Sequence, residues 1–220
     1  MNISIFEVVG PIMVGPSSSH TAGAAKLAQA AKLIAKKPFS HISFGLHGSF
    51  AKTYKGHGTD RALVAGALGL SADDEKLPYS FEIAEERGIT FDFYEIELEG
   101  MHENTVKMTL TMDDGSENVV IGSSIGGGQI VIKDINGFTT EVSLQSPTIL
   151  INHHDTKGVI SEITATLANN ALNIATMKLS RKSKGDIACC VIETDESIPE
   201  QIEQKIMLNK NIVSVKIINI

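Results

Sequence analysis

The chain has 220 residues, 42% of them apolar and 20% charged, with a formal net charge of −7. That length fits one large domain or two small ones, and an acidic balance without any basic block argues against nucleic acid as a partner. No charged start leads into a long apolar run, so neither a signal peptide nor a membrane span is expected, and the expected location is cytoplasmic.

Residues 3–9 read equally well as a short strand or a helical turn. The stretch GPSSSHTAG at 15–23 follows, placing Ser17, Ser18, Ser19, His20 and Thr21 between a Gly-Pro turn and an alanine-rich helix expected over Thr21–Lys37. One of the three serines suffices to cap that helix. The remaining hydroxyls are either a redundant polar turn or, with the free N–H groups of the first helical turn, a site for a carboxylate or phosphate.

His41 to His47 alternates apolar and polar residues, the pattern of a strand that delivers His47 to its end. The segment KGHGTDRA at 55–62 then sets His57 between two glycines, where no neighbouring side chain covers it and other groups can approach closely. Thr59 or Asp60 is expected to cap a helix running to Leu70. Two helix starts, each led by a histidine among glycine and hydroxyl residues, suggest one composite site.

A short helix at Phe81–Arg87 precedes strands at Thr90–Glu99, Thr105–Met112 and Glu117–Ile121. A further pair at Gln129–Ile135 and Thr139–Leu144 is joined by the hairpin signal Asn136-Gly137. Gly126, Gly127 and Gly128 lack the spacing of a nucleotide loop, which leaves a backbone contact to a small ligand. His102, Glu103 and Asn104 lead into a strand and read, in isolation, as a polar turn.

After a linker at 145–147 the pattern becomes βαββαβ over 148–220, the ferredoxin-like plan. Its strands are expected at Thr148–Asn152, Asn173–Ser180, Ile187–Thr194 and Ile212–Ile218. The helices follow Gly158 and a Ser197–Glu200 capping box. His153, His154 and Asp155 are metal-ligand types, but neighbouring histidines on a loop read as solvent-facing. Cys189 and Cys190 are adjacent on a strand, pointing to opposite faces, and read as small buried residues. No metal set is expected in this chain.

The pairing of GPSSSHTAG with HGSFAKTYKGHGTDRA resembles the beta subunit of the bacterial iron–sulfur L-serine dehydratases over essentially the whole chain. The C-terminal part resembles the ACT domain. The resemblance implies an α/β (α+β) fold, with a serine dehydratase beta-type domain over 1–145 and an ACT domain over 148–220. It implies a lyase that converts L-serine to pyruvate and ammonia and is inactive without a partner. That partner is a cysteine-bearing alpha chain holding a [4Fe–4S] cluster, and the ACT domains would self-associate.

By the same resemblance His57 is the acid–base group. His20 is a second catalytic candidate in the same pocket, which Ser17–Ser19 and Thr21 line as substrate-binding residues, and Lys55 and Asp60 are lesser candidates for orienting His57. His102 and Asn104, helped by Gly126–Gly128, form a second, regulatory serine site in which Glu103 stands where the family commonly has proline. Two other readings remain. One is a non-catalytic amino-acid-binding module, as in the similar regulatory domain of some phosphoglycerate dehydrogenases. The other is a metal hydrolase using His20, His47 and His57.

Overall fold

The computed structural model describes residues 12–219, so the element expected at 3–9 lies outside it. The described residues fall into two compact units divided between Asn136 and Gly137.

In the first unit the serine-rich turn winds into a π-helical segment, Ser18–Gly23, which runs on into α1 (Ala24–Ala35). The helix is therefore shorter than expected at both ends. Its first turn is underwound into the wider π form, and Lys36, at φ 54°, turns left-handed and donates its N–H back to the Lys32 carbonyl before Pro38 is reached. Then come β1 (Phe39–Leu46), α2 (Gly48–His57), α3 (Thr59–Leu68), a 3₁₀ turn at Leu77–Tyr79 and α4 (Ser80–Glu86). Strands β2 (Thr90–Glu95), β3 (Thr105–Met112), β4 (Glu117–Gly126) and β5 (Gln129–Ile135) complete the unit.

These strands lie in the order β2-β1-β3-β4-β5. Only β1 and β2 run parallel, as the helical crossover between them requires. Ile42, Phe44 and Leu46 of β1 and Val106, Met108 and Leu110 of β3 alternate into the core, and α1 packs on β3 and β4. A Cβ on Gly122 would lie 2.5 Å from a methyl of Leu27, so the helix rests directly on the backbone of β4. Helices α1 and α3 touch just as closely, since a Cβ on Gly66 would lie 2.0 Å from the Ala25 carbonyl oxygen.

Helix α2 was not expected. Residues 48–57 include glycines at 48 and 56, and Phe50 is the one fully buried residue among them, so the segment carries almost no apolar periodicity. It is held by tertiary contacts rather than by propensity. Helix α3 begins at Thr59 and neither Thr59 nor Asp60 caps it; Gly58 occupies the cap position in a left-handed conformation. Asp60 instead accepts a hydrogen bond from the Arg61 N–H at 2.8 Å.

The second unit holds β6 (Phe138–Val142), β7 (Thr148–His154), α5 (Val159–Ala168), β8 (Ile174–Arg181), β9 (Ile187–Thr194), α6 (Gln201–Met207) and β10 (Ile212–Ile218). Its antiparallel sheet runs β10-β7-β9-β8. Ile149, Ile151, Ile163, Leu167, Ile202 and Ile206 join sheet and helices in one core. From βαββαβ over the last third of the chain this sandwich was expected. The buried Glu193 carboxylate is satisfied by Ser143 Oγ at 3.0 Å, the Leu144 N–H at 3.2 Å and Thr176 Oγ1 at 2.7 Å.

Three details differ from the sequence reading. His153 is not on a loop: it lies in β7, 1% exposed, donating from Nδ1 to the His154 carbonyl at 2.8 Å. The Ser197 capping box does not form and α6 starts at Gln201. Ile198 is buried instead, its N–H and carbonyl both taken by the Asn219 amide at 2.9 Å, which pulls that backbone out of helical register. Strand β4 runs five residues past Ile121, which makes Gly126–Gly128 the hairpin turn into β5. Cys189 and Cys190 are both buried, and burial pushes the Cys190 thiol up to about 12.

The glycine contacts predict opposite outcomes for two alanine substitutions. Gly66→Ala has no room at the α1–α3 crossing and should destabilise the chain by about 1–3 kcal/mol. Gly56→Ala, with nothing within 4 Å of its Cβ position, should be neutral or stabilising by about 0.5–1 kcal/mol. Denaturant unfolding of the two variants beside wild type measures both.

Candidate active site

His20 stands at the third position of the π-helical segment, and π-helical turns of this kind recur at functional sites. Ser17 is the cap foreseen among the three serines, its Oγ accepting the His20 N–H at 3.3 Å. The same Oγ lies 3.3 Å from His20 Nδ1. On the other side of the ring, Nε2 lies 3.1 Å from Thr53 Oγ1 and 3.3 Å from Ser49 Oγ, both on α2. Phe50 meets the ring edge-on with centroids 5.2 Å apart.

His57 closes α2, and its ring centroid is 4.8 Å from that of His20. Its Nδ1 lies 3.3 Å from the Thr53 carbonyl oxygen. The glycines at 56 and 58 do not leave it exposed as expected; it is half-buried, because the helix turns its ring onto His20. Desolvation, and then the neighbouring His57, hold the pKa of His20 below its ordinary 6.5.

Ser49, Thr53 and His57 are spaced i, i+4, i+8 and share one helical face. Ser49 and Thr53 were missed from the sequence because the helix was missed. Had residues 48–57 been read as helical, that spacing would have put both hydroxyls beside His57.

The first turn of α2 is fixed by the loop before β3. The Ser49 N–H donates to the Glu103 carbonyl at 2.7 Å and the His47 N–H to the Thr105 carbonyl at 3.0 Å. Gly48 adopts φ +57°, and a Cβ there would meet the Glu103 carbonyl oxygen at 2.7 Å, so only glycine fits. On the loop's other flank the Ser124 N–H donates to the Asn104 carbonyl at 2.9 Å. Ser124 in turn packs on the π-helical segment, where a Cβ on Gly23 would lie 2.0 Å from its Oγ. The 102–104 loop thus touches α2 directly and reaches the π-helical segment through Ser124.

The serine dehydratase beta chain family matches residues 4–78, and the ACT domain family matches residues 147–207. The L-serine dehydratase beta chain of Peptoniphilus asaccharolyticus is 41% identical over 218 residues, 99% of this chain and 98% of that one. The probable L-serine dehydratase beta chain of Bacillus subtilis strain 168 is 39% identical over 212 residues, 96% of each. The D-3-phosphoglycerate dehydrogenase of the same organism is 29% identical over 186 residues, 84% of this chain but 35% of its own length. The chain belongs to the L-serine dehydratase beta-chain family.

Within this beta chain the residues singled out from sequence are distributed unevenly. His20, His57 and Ser17 converge. Ser18 and Ser19 are half-buried in the π-helical segment beside them. Thr21 does not join them: it is 1% exposed, with its side chain packed into the space above Gly15. Lys55 lies 5.6 Å from the Tyr54 ring, and Asp60, its pKa raised mainly by burial, accepts the Arg61 N–H at 2.8 Å.

His47 is at the opposite end of α2 from His57, about 15 Å away at 1.5 Å per residue. Its Nδ1 accepts the Leu98 N–H at 3.2 Å. Among the described residues no three His, Cys, Asp or Glu side chains cluster closely enough to hold a metal ion. The three-histidine hydrolase reading therefore has no geometry behind it. His102 is exposed and its Nδ1 accepts the Asn104 N–H at 3.1 Å, while Asn104 Oδ1 is buried without a partner. Also among the described residues, no helix is long and apolar enough to cross a membrane.

The depressed pKa of His20 carries a pH signature. The fold favours the neutral ring, so its contribution to stability is intact above pH 6.5 and is lost as the pH falls through the lower folded-state pKa. The difference in Tm between wild type and His20→Gln should narrow from about pH 8 to about pH 5. A constant difference across that range would mean the ring is not held neutral.

Proposed function

We propose that this chain is the beta half of a two-chain L-serine ammonia-lyase that removes the α-proton and β-hydroxyl of L-serine, giving aminoacrylate and then pyruvate and ammonia. The observation that carries the reading is the His20–His57 pair at 4.8 Å, ringed by the Ser17, Ser49 and Thr53 hydroxyls, within a chain 39–41% identical to named beta chains. The carbonyl of Thr53 takes the Nδ1–H of His57, which leaves Nε2 as the proton-accepting atom, and an imidazole exchanges protons readily near neutral pH. His20 and the hydroxyls of Ser17, Ser18 and Ser19 bind and orient the amino acid.

The [4Fe–4S] cluster of such an enzyme needs several thiolates. The residues of this chain do not fit it: both cysteines are buried and the Cys190 thiol is held protonated at neutral pH. The cluster belongs to a cysteine-bearing alpha chain in this reading. Residues 1–145 form the serine dehydratase beta-type domain, residues 148–220 form an ACT domain that pairs with its like, and the assembly works in the cytoplasm.

A regulatory role for His102 and Asn104 is the second reading, supported by the buried, unpartnered Asn104 Oδ1, which suits the ammonium or hydroxyl of a bound serine. Gly126–Gly128 need no ligand to explain them, because φ values of 107°, 58° and 73° make the hairpin turn itself.

Steady-state kinetics of the assembled enzyme separate the two roles. His57→Ala should cut turnover by about 10²–10⁴-fold with the KM for serine little changed. Asn104→Ala should change the sigmoidality or lag of the serine response and spare the maximal rate. A His57→Ala enzyme altered only in KM would place His57 in binding, and an Asn104→Ala enzyme without activity would place Asn104 in the active site or the fold.

A further inference from the structure

We infer that Thr53 sets the tautomers of both histidines, with its hydroxyl fixing His20 as the Nε2–H form and its carbonyl fixing His57 as the Nδ1–H form. Thr53 is a positioning residue in this account and touches no reacting atom.

The Thr53 hydroxyl has one proton, and that proton is committed to the Ser49 carbonyl at 2.8 Å. Toward His20 Nε2, 3.1 Å away, Thr53 Oγ1 can therefore only accept, so Nε2 carries the hydrogen. Ser49 Oγ, 3.3 Å from the same nitrogen, is free to rotate and could donate or accept, so it fixes nothing alone.

The other ring nitrogen, Nδ1, then presents a lone pair to the Ser17 hydroxyl, which keeps its own proton while accepting the His20 N–H. At His57 the assignment is simpler still. A carbonyl oxygen only accepts, so the 3.3 Å contact from Nδ1 to the Thr53 carbonyl places the hydrogen on Nδ1. Two rings with centroids 4.8 Å apart are thereby made chemically opposite. His20 is basic at Nδ1, facing the serine turn, and His57 is basic at Nε2.

The lowered pKa of His20 agrees, since a tautomer has meaning only for a ring held neutral, and burial first, then the neighbouring His57 ring, opposes protonation of His20. Helix geometry explains why one residue can do both jobs. Thr53 lies four residues before His57, so its carbonyl points along the axis toward the His57 ring while its side chain leaves the helix toward the π-helical segment.

The consequence for chemistry rests on the catalytic reading above, but the assignment itself does not. The test is long-range proton–nitrogen NMR of the full chain labelled with ¹⁵N-histidine, which reports which ring nitrogen is protonated. Wild type should show Nε2–H at His20 and Nδ1–H at His57. Thr53→Val should release His20 into a mixture of tautomers and leave His57 as it is, because the carbonyl survives the substitution. Thr53→Ser should keep the wild-type pattern.

Nδ1–H at His20 in the wild-type chain would overturn the inference, even if Thr53→Val fails to fold. So would a Thr53→Val spectrum in which His20 is unchanged, or in which both rings change together, the mark of a distorted helix. In the assembled enzyme Thr53→Val should raise the KM for serine more than it lowers turnover, because it loosens a ring that binds and orients the amino acid, with Thr53→Ser within a few-fold of wild type. Absence of activity in every form, wild type included, would count against the two-chain reading and leave the tautomer assignment standing.

Discussion

The contact on which the rest of the site depends is the closure of the Glu103 backbone over the first turn of α2. The Ser49 N–H reaches the Glu103 carbonyl at 2.7 Å because Gly48 has no side chain and sits at φ +57°. A helix start left without such a partner would expose unsatisfied donors, and α2 has too little apolar surface to hold itself in place. Once its start is anchored, ten residues of regular helix carry Ser49, Thr53 and His57 down one face to His20. The geometry of the histidine pair is thus inherited from a loop at the other end of the helix. Asn104, whose carbonyl holds the Ser124 N–H, ties that same loop to the strand on which the π-helical segment rests. Any ligand that reshapes residues 102–104 has a physical path to both histidines through packed backbone.

Two kinds of information were legible in the sequence to different degrees. The βαββαβ half could be read almost element by element, because Ile149, Ile151, Ile163 and Leu167 follow strand and helix periods cleanly. In the first half the strands and α1 were legible for the same reason. Helix α2 was not, since its residues are chosen for what they touch rather than for a hydrophobic stripe. The π-helical winding of Ser18–Gly23 was also invisible, as it depends on Ser124 meeting Gly23 from a strand a hundred residues away.

The site shows the same division. His20 and His57 were picked out by residue type and by glycine and serine neighbours, and they do converge. The reason given for His57, exposure between glycines, was not the one the fold uses. Thr53 lies inside the HGSFAKTYKGHGTDRA stretch but was passed over, and its importance lies in a carbonyl and a hydroxyl whose partners only the fold reveals. The buried position of Thr21 was likewise hidden, because in the sequence it stands among hydroxyls that do reach the site. At Ser197 a local capping signal lost to burial of Ile198 and its pairing with Asn219, a tertiary demand overriding a local preference.

In the proposed reading, what this chain brings to a serine dehydratase is a preorganised pair of imidazoles on rigid helical supports, and a partner brings the thiolates that a cluster requires. The central claim is that these groups work only when a cysteine-bearing chain completes them. The most direct measurement is anaerobic conversion of L-serine to pyruvate by this chain alone, by the cysteine-bearing chain alone, and by the two combined. The account predicts pyruvate only from the mixture, with a colourless and iron-free beta chain. Pyruvate formed by this chain alone, or a stoichiometric cluster on it with broad visible absorbance, would contradict it.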